Sequence, residues 1–154
     1  MRKILILPVL AIASSISTAA LCGETLSNST RQDLLVAMKS EAFAYLKYTL
    51  FAEQARKNGN ETLAGVLEHT AADEYEKHFK EHAKLYGLSK SDHENLVNAM
   101  SAEFVESTQM YQDMAKRAEA AGDANVAKHF SELARDEVDH RDAFKGTLSK
   151  RAAQ

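Results

Sequence analysis

Ala37-Met38-Lys39-Ser40-Glu41 is answered later in the chain by Ala99-Met100-Ser101-Ala102-Glu103, which pairs Glu41 with Glu103. Asp73-Glu74 is answered by Asp136-Glu137 at an interval one position longer. Gly59 and Gly122 stand equally far before the second Glu of their half. Self-similarity at a fixed period marks a duplicated supersecondary unit. The unit reads as a helical hairpin with one acid on each helix. Two such hairpins make a four-helix bundle, so the expected fold class is all-α. Four carboxylates in the middle of one bundle would need cations, because unpaired charge is not tolerated in a protein interior.

The helices follow from apolar spacing and punctuation. Leu34, Leu35, Met38, Phe43, Leu46, Leu50 and Phe51 recur at three- and four-residue steps and predict a first helix from Gln32 to Lys57. Asn58-Gly59-Asn60 is a turn signal. The second helix runs from Glu61 into the 80s, with Leu63, Val66, Leu67, Thr70, Ala71 and Phe79 as inner candidates. Gly87 and the Ser89-to-Asp92 stretch break the pattern. The third helix begins near Asp92 or Glu94, whose charge suits a first turn, and ends near Gly122-Asp123. The fourth, capped by Asp123, passes through Val126, Phe130, Leu133, Ala134 and Val138 to about Leu148.

Composition agrees with a helical domain. The chain has 154 residues, 45% of them hydrophobic, with one Pro and six Gly, and its size fits one domain. A net charge of −3 argues against a nucleic-acid binder, which would normally show a basic face. Residues 1–22 differ in kind: Met1-Arg2-Lys3, then an uncharged run, then small residues up to Cys22. They read as a secretory signal peptide, followed by a flexible lead over 23–31 and the helical domain over 32–150. Export, to a bacterial periplasm, is the expectation, with no membrane attachment after cleavage. The Ala19-Ala20-Leu21 before Cys22 departs from a lipid-attachment signal. Cys22 is the one cysteine, so neither an intrachain disulfide nor a Cys-x-x-Cys knuckle is available.

Chemistry concentrates on the third and fourth helices. Glu103-Phe104-Val105-Glu106 puts two carboxylates one turn apart, and Glu137-Val138-Asp139-His140 does the same for a carboxylate and an imidazole. Glu41 and Glu74 add one acid from each remaining helix. Each motif alone is weak in a chain with 22 acids. Their co-occurrence at matching depths, beside apolar or small neighbours, is what points to a metal centre of the carboxylate-bundle kind.

At these residues the chain resembles the rubrerythrins, a branch of the ferritin-like superfamily, over residues 32–148. Ser40-Glu41 with Tyr48-Thr49 and Phe51-Ala52 is similar to the family's first helix, Ala102-Glu103-x-x-Glu106 with Met110-Tyr111 to its third, and Glu137-x-x-His140 to its fourth. The resemblance implies a non-haem di-iron centre. Glu74 and Glu137 would bridge, Glu41, Glu103 and Glu106 would be terminal or redox-mobile, and His140 would bind one iron. It also places Tyr48 and Tyr111 near the metals as partners of ligand carboxylates. With Glu106 they form the expected catalytic set. The family's second helix carries Glu-x-x-His, whereas here Lys77 holds that place and His78 follows it. An ammonium facing a cation is unfavourable, so His78 is the expected ligand, with Lys77 turned outward and His69, His82 and His129 at the surface.

The implied activity is reduction of hydrogen peroxide to water by two ferrous ions, with Mn or Zn as alternative metals. A ferroxidase acting on dioxygen and a metal-free structural bundle are the competing readings. This chain lacks the Cys-x-x-Cys pairs of a rubredoxin domain, so electrons are expected from an external donor. A further expectation concerns assembly. A ferritin-like bundle needs its second and third helices parallel, a return path of about 35 Å. The five or six residues between them reach only about 20 Å. Either helix ends unwind or the hairpins are exchanged in a homodimer, and exchange is the expected solution.

Overall fold

The computed structural model describes residues 26–152; the expected signal peptide lies outside the described residues. Helix α1 spans Asn28–Lys57. Helix α2 covers residues 61–86 as Glu61–Asp73, a π-helical turn over Glu74–Phe79, and Lys80–Tyr86. Helix α3 covers residues 92–120 as Asp92–Val105, a π turn over Glu106–Met110, and Tyr111–Ala120. Helix α4 spans Ala124–Ala152. No strand occurs among the described residues, and the four long helices, paired as two hairpins, are consistent with a ferritin-like helical bundle. None of the described helices is long and apolar enough to cross a membrane.

The first helix starts earlier than apolar spacing indicates. Residues 28–31 of the expected flexible lead are helical, because Ser27 Oγ accepts the Thr30 N–H at 3.1 Å and caps the helix ahead of Gln32. The third helix starts at Asp92 behind a capping box, in which Ser91 Oγ accepts the Glu94 N–H and Glu94 Oε2 accepts the Ser91 N–H, both at 3.3 Å.

Both hairpin turns use one device. Gly59 and Gly122 take φ of 74° and 86°, a region that a Cβ disfavours. Each closes a Schellman motif: Gly59 and Asn60 donate to the Arg56 and Ala55 carbonyls, and Gly122 and Asp123 donate to those of Glu119 and Ala118. Asn60 then caps α2 at once through the Leu63 N–H. So little chain between helices forces α1 against α2 and α3 against α4 as antiparallel pairs.

The seam inside each pair is lined with small side chains. Ala52, Ala55, Ala64 and Ala71 are buried between α1 and α2 with Met38; Ser107, Ala127 and Ala134 are buried between α3 and α4. Tyr45 and Tyr75, with ring centroids 5.3 Å apart, and a forked Arg56–Glu68 ion pair add links across the first seam. Among the described residues, no helix of the first pair touches a helix of the second. Several expected inner residues are therefore uncovered: Phe43, Leu46, Leu50, Phe51, Leu63, Val66 and Val126 are exposed. The periodicity identifies apolar faces correctly, but a single hairpin has one packed face and these side chains lie off it.

The two π turns explain the spacing of the repeat. In a π turn the amide bonds five residues back, as Lys80 does to the Tyr75 carbonyl and Tyr111 to that of Glu106, so one extra residue is accommodated. The stretch from Glu103 to Gly122 is one residue longer than that from Glu41 to Gly59, and the π turn over Glu106–Met110 holds the addition. The stretch from Glu74 to His78 is one residue longer than that from Glu137 to His140, and the π turn over Glu74–Phe79 holds that one. Hence the repeat interval lengthens by one at the glycine turns and returns to its first value at the histidines.

Two outcomes follow for stability. Gly122→Ala should destabilise by about 1–2 kcal/mol because of its left-handed backbone. Gly65→Ala, in the interior of α2 with open space around the added Cβ, should stabilise by about 1 kcal/mol. Urea denaturation measures both. Deleting Lys77 should let the π turn close into α-helix and leave the rest of α2 in register. Deleting Glu132 from the uninterrupted α4 turns everything after it by about 100°. The first deletion should therefore lower the unfolding temperature far less than the second, and equal losses would show that the π turn does not absorb a residue.

Candidate metal centre

Two ligand groups arise at the same level of the two hairpins. In the first, Glu41 on α1 meets Glu74 and His78 on α2; in the second, Glu103 on α3 meets Glu137 and His140 on α4. Within each group one donor atom from every residue lies within 4.8 Å of the others. The geometry nearly superposes. His78 Nδ1 is 2.7 Å from Glu74 Oε2 and 3.9 Å from Glu41 Oε2. His140 Nδ1 is 2.7 Å from Glu137 Oε2 and 3.7 Å from Glu103 Oε2.

The π turn decides which second-helix side chain joins the group. Because it holds one extra residue, the fourth position after Glu74 occupies the direction that the third has after Glu137. His78 accordingly sits with the acids, while Lys77 Nζ pairs with Asp73 Oδ1 at 2.8 Å, away from them. This is the outward Lys77 expected from sequence, reached through a local change of helix type.

The electrostatics are those of a site short of positive charge. Burial pushes the Glu41 carboxyl above its usual range, helped by hydrogen bonding to and repulsion from Glu74. Burial does the same to Glu103, with Glu137 and then Glu106 adding to it. The His140 imidazole is raised, chiefly by its hydrogen bond to Glu137. Glu103 Oε2 is shielded from solvent and has no hydrogen-bond partner. Mixed carboxylate and imidazole donors with an orphaned acceptor fit a divalent first-row metal such as iron or manganese.

The remaining expected residues are placed unevenly. Glu106 lies in the π turn beside the second group, near enough to raise Glu103, but outside the group itself. Tyr111 stacks on Phe130, with centroids 6.2 Å apart, and its phenol is pushed up by burial and then by Glu106, Glu137 and Glu103. Tyr48 lies under Lys47, whose Nζ is 4.8 Å from its ring centroid. Neither tyrosine hydroxyl makes the hydrogen bond to a ligand carboxylate that the resemblance implies; with the hairpins apart, each meets only its own half. His69 and His129 are exposed as expected. His82 is not a surface residue: it is half-buried, and its Nδ1 is enclosed without a partner. Its position one turn beyond His78 was the signal available in the sequence. The acids expected at one point are divided between hairpins that do not touch, Glu41 and Glu74 on the first and Glu103, Glu106 and Glu137 on the second.

Comparison with known proteins agrees with this arrangement. The Rubrerythrin family model matches residues 33–148. Rubrerythrin of Porphyromonas gingivalis is 33% identical over 137 residues, covering 78% of this chain and 66% of the relative. Rubrerythrin of Nitratidesulfovibrio vulgaris is 27% identical over 132 residues, covering 75% and 66%. Nigerythrin of the same organism is 27% identical over 138 residues, covering 79% and 66%. The chain thus spans just under two thirds of the length of these relatives. With a family match over most of the described helices and a carboxylate–histidine group on each hairpin, the chain belongs to the rubrerythrin family, within the ferritin-like di-iron superfamily.

Proposed function

We propose that the chain is a di-iron peroxidase that reduces hydrogen peroxide to water with electrons from an external donor. The observation that carries this reading is the pair of matched groups, Glu41–Glu74–His78 and Glu103–Glu137–His140. Each offers two carboxylates and one imidazole, a donor set suited to a redox-active metal. The overall reaction consumes hydrogen peroxide, two electrons and two protons and yields two waters.

Two ferrous ions, when bound, supply the electron pair that cleaves the O–O bond. The protein's part is binding, charge and proton supply. Glu74 and Glu137, each hydrogen-bonded to an imidazole, are fixed in direction by it. Glu41 and Glu103, raised by burial and by a neighbouring acid, would be favoured in their ionised form by an arriving positive charge. Glu106, beside the second group in its π turn, would supply a further carboxylate there. Tyr111, kept neutral by burial and by the acids around it, retains a proton to give to oxygen leaving as water. An exported site of action rests on residues 1–22 alone and is tested by the N-terminus of the protein recovered from cells.

Anaerobic reconstitution should give two irons per chain, and one equivalent of peroxide should oxidise the reduced pair faster than dioxygen does. The opposite order would sink the peroxidase assignment. His78→Ala should weaken iron binding by at least about tenfold, the scale of losing a group that holds or orients a metal. Lys77→Ala should leave the iron content unchanged. Competition with a chromophoric chelator measures both variants.

A further inference from the structure

We propose that His82 is a positioning residue of the first ligand group: its Nδ1–H donates to the Glu41 carboxylate once Glu41, Glu74 and His78 hold a cation. The proposal rests on the metal reading above and adds to it a residue that binds no metal itself.

Three observations lead to it. The Nδ1 atom of His82 is shielded from solvent and has no hydrogen-bond partner. A buried polar atom left unpaired is costly, so it calls for a partner that another state of the protein supplies. Residues 80–86, which carry His82, pack on α1 and, apart from the π turn before them, on no other described element. The α1 acid at that level is Glu41. Its Oε2 is 3.9 Å from the Nδ1 of His78, one turn before His82, and the charge of His82 acts on its carboxyl. Packing, finally, does not call for an imidazole here. His82 follows His78 by the same four residues as Phe144 follows His140, and both rings are half-buried. A phenyl ring fills the equivalent place in the second hairpin, so what His82 adds is a polar nitrogen.

The unused nitrogen has a reason in the metal-free protein. Glu41 is hydrogen-bonded to Glu74 there. Ligation replaces that bond between acids, because ligating carboxylates are ionised. A carboxylate that binds through one oxygen keeps acceptor sites on the other. Groups behind a ligating carboxylate hold it in direction by hydrogen bonds to those sites. The Nδ1 of His78 already pairs with Glu74, and the Nζ of Lys77 with Asp73. That leaves the His82 ring as the neighbour of Glu41 with a nitrogen to offer.

Two substitutions and one spectrum test this. His82→Phe removes the nitrogen and installs the ring that the second hairpin carries. His82→Asn places an amide N–H where the imidazole Nδ1–H would be. Both variants are checked for helix content by circular dichroism, and their affinity for ferrous ion is measured against a chromophoric chelator. His82→Phe should weaken the first site about tenfold, the scale of losing a group that orients a ligand, while His82→Asn should stay within about threefold of the unmodified chain. Equal affinities for His82→Phe and the unmodified chain would overturn the proposal, as would a His82→Asn variant as weak as His82→Phe. The spectrum is read on the unmodified chain with 15N-labelled histidine, without metal and loaded with zinc, and the His82 signals are assigned by their loss in His82→Phe. Zinc should bring a slowly exchanging proton onto the His82 Nδ1. An Nδ1 that stays unprotonated, or a His82 nitrogen bound to zinc, would overturn the positioning role. An unmodified chain that takes up neither iron nor zinc would instead overturn the metal reading, which separates the two failures.

Discussion

The distance between helices within each hairpin is the constraint on which the site depends, and alanine sets it. Ala52, Ala55, Ala64 and Ala71 in the first seam, and Ala127 and Ala134 with Ser107 in the second, let the backbones approach closely enough for short carboxylates to meet across the gap. A leucine at any of them would push the helices apart and move Glu41 away from Glu74, or Glu103 away from Glu137. The turns act in the same sense. A left-handed glycine followed immediately by a capping residue leaves no slack, so seam and turn hold each hairpin in one register. Precision in the ligand groups is thus inherited from backbone proximity and needs little help from a large core.

The same design leaves charge unbalanced. Each group gathers two carboxylates around one imidazole, and Glu106 adds a further acid to the second. Burial and mutual repulsion raise Glu41 and Glu103, which is the response of acids brought together without enough cation. Such an arrangement costs stability in the metal-free protein and returns it when a divalent ion neutralises the group. Local crowding of like charge therefore goes with the donor set: the features that weaken the empty fold are those that make it receptive to metal.

Much of this was legible in the sequence. The duplication, the four helices, the two glycine turns and the acids on each helix follow from spacing, because hairpins are local structures with short-range signals. That His78 would lie beside the acids and Lys77 away from them was also readable, from the cost of an ammonium beside a cation. Three features were harder. The single-position change in the repeat interval was visible but uninterpreted, because a π turn has no strong composition signal and shows itself only as a residue too many. Phe43, Leu46 and Leu50 looked like core because periodicity reports an apolar face without saying what covers it. His82 passed for a surface histidine because its enclosure depends on packing beyond its own helix.

The insertions also keep the two halves from being copies. Within the repeat, Glu106 falls where the first hairpin has Ala44, and His82 falls where the second has Phe144. The triplet of two acids and a histidine is common to both hairpins; the extra donors are not, and they lie on different helices. One half therefore has an additional carboxylate beside its group, set in a π turn where the Phe104 carbonyl accepts both the Ser107 and Thr108 hydroxyls. The other has an enclosed imidazole nitrogen without a partner. Duplication accounts for a symmetric pair of metal-binding groups. Divergence at these two positions makes the environments of the two groups unequal.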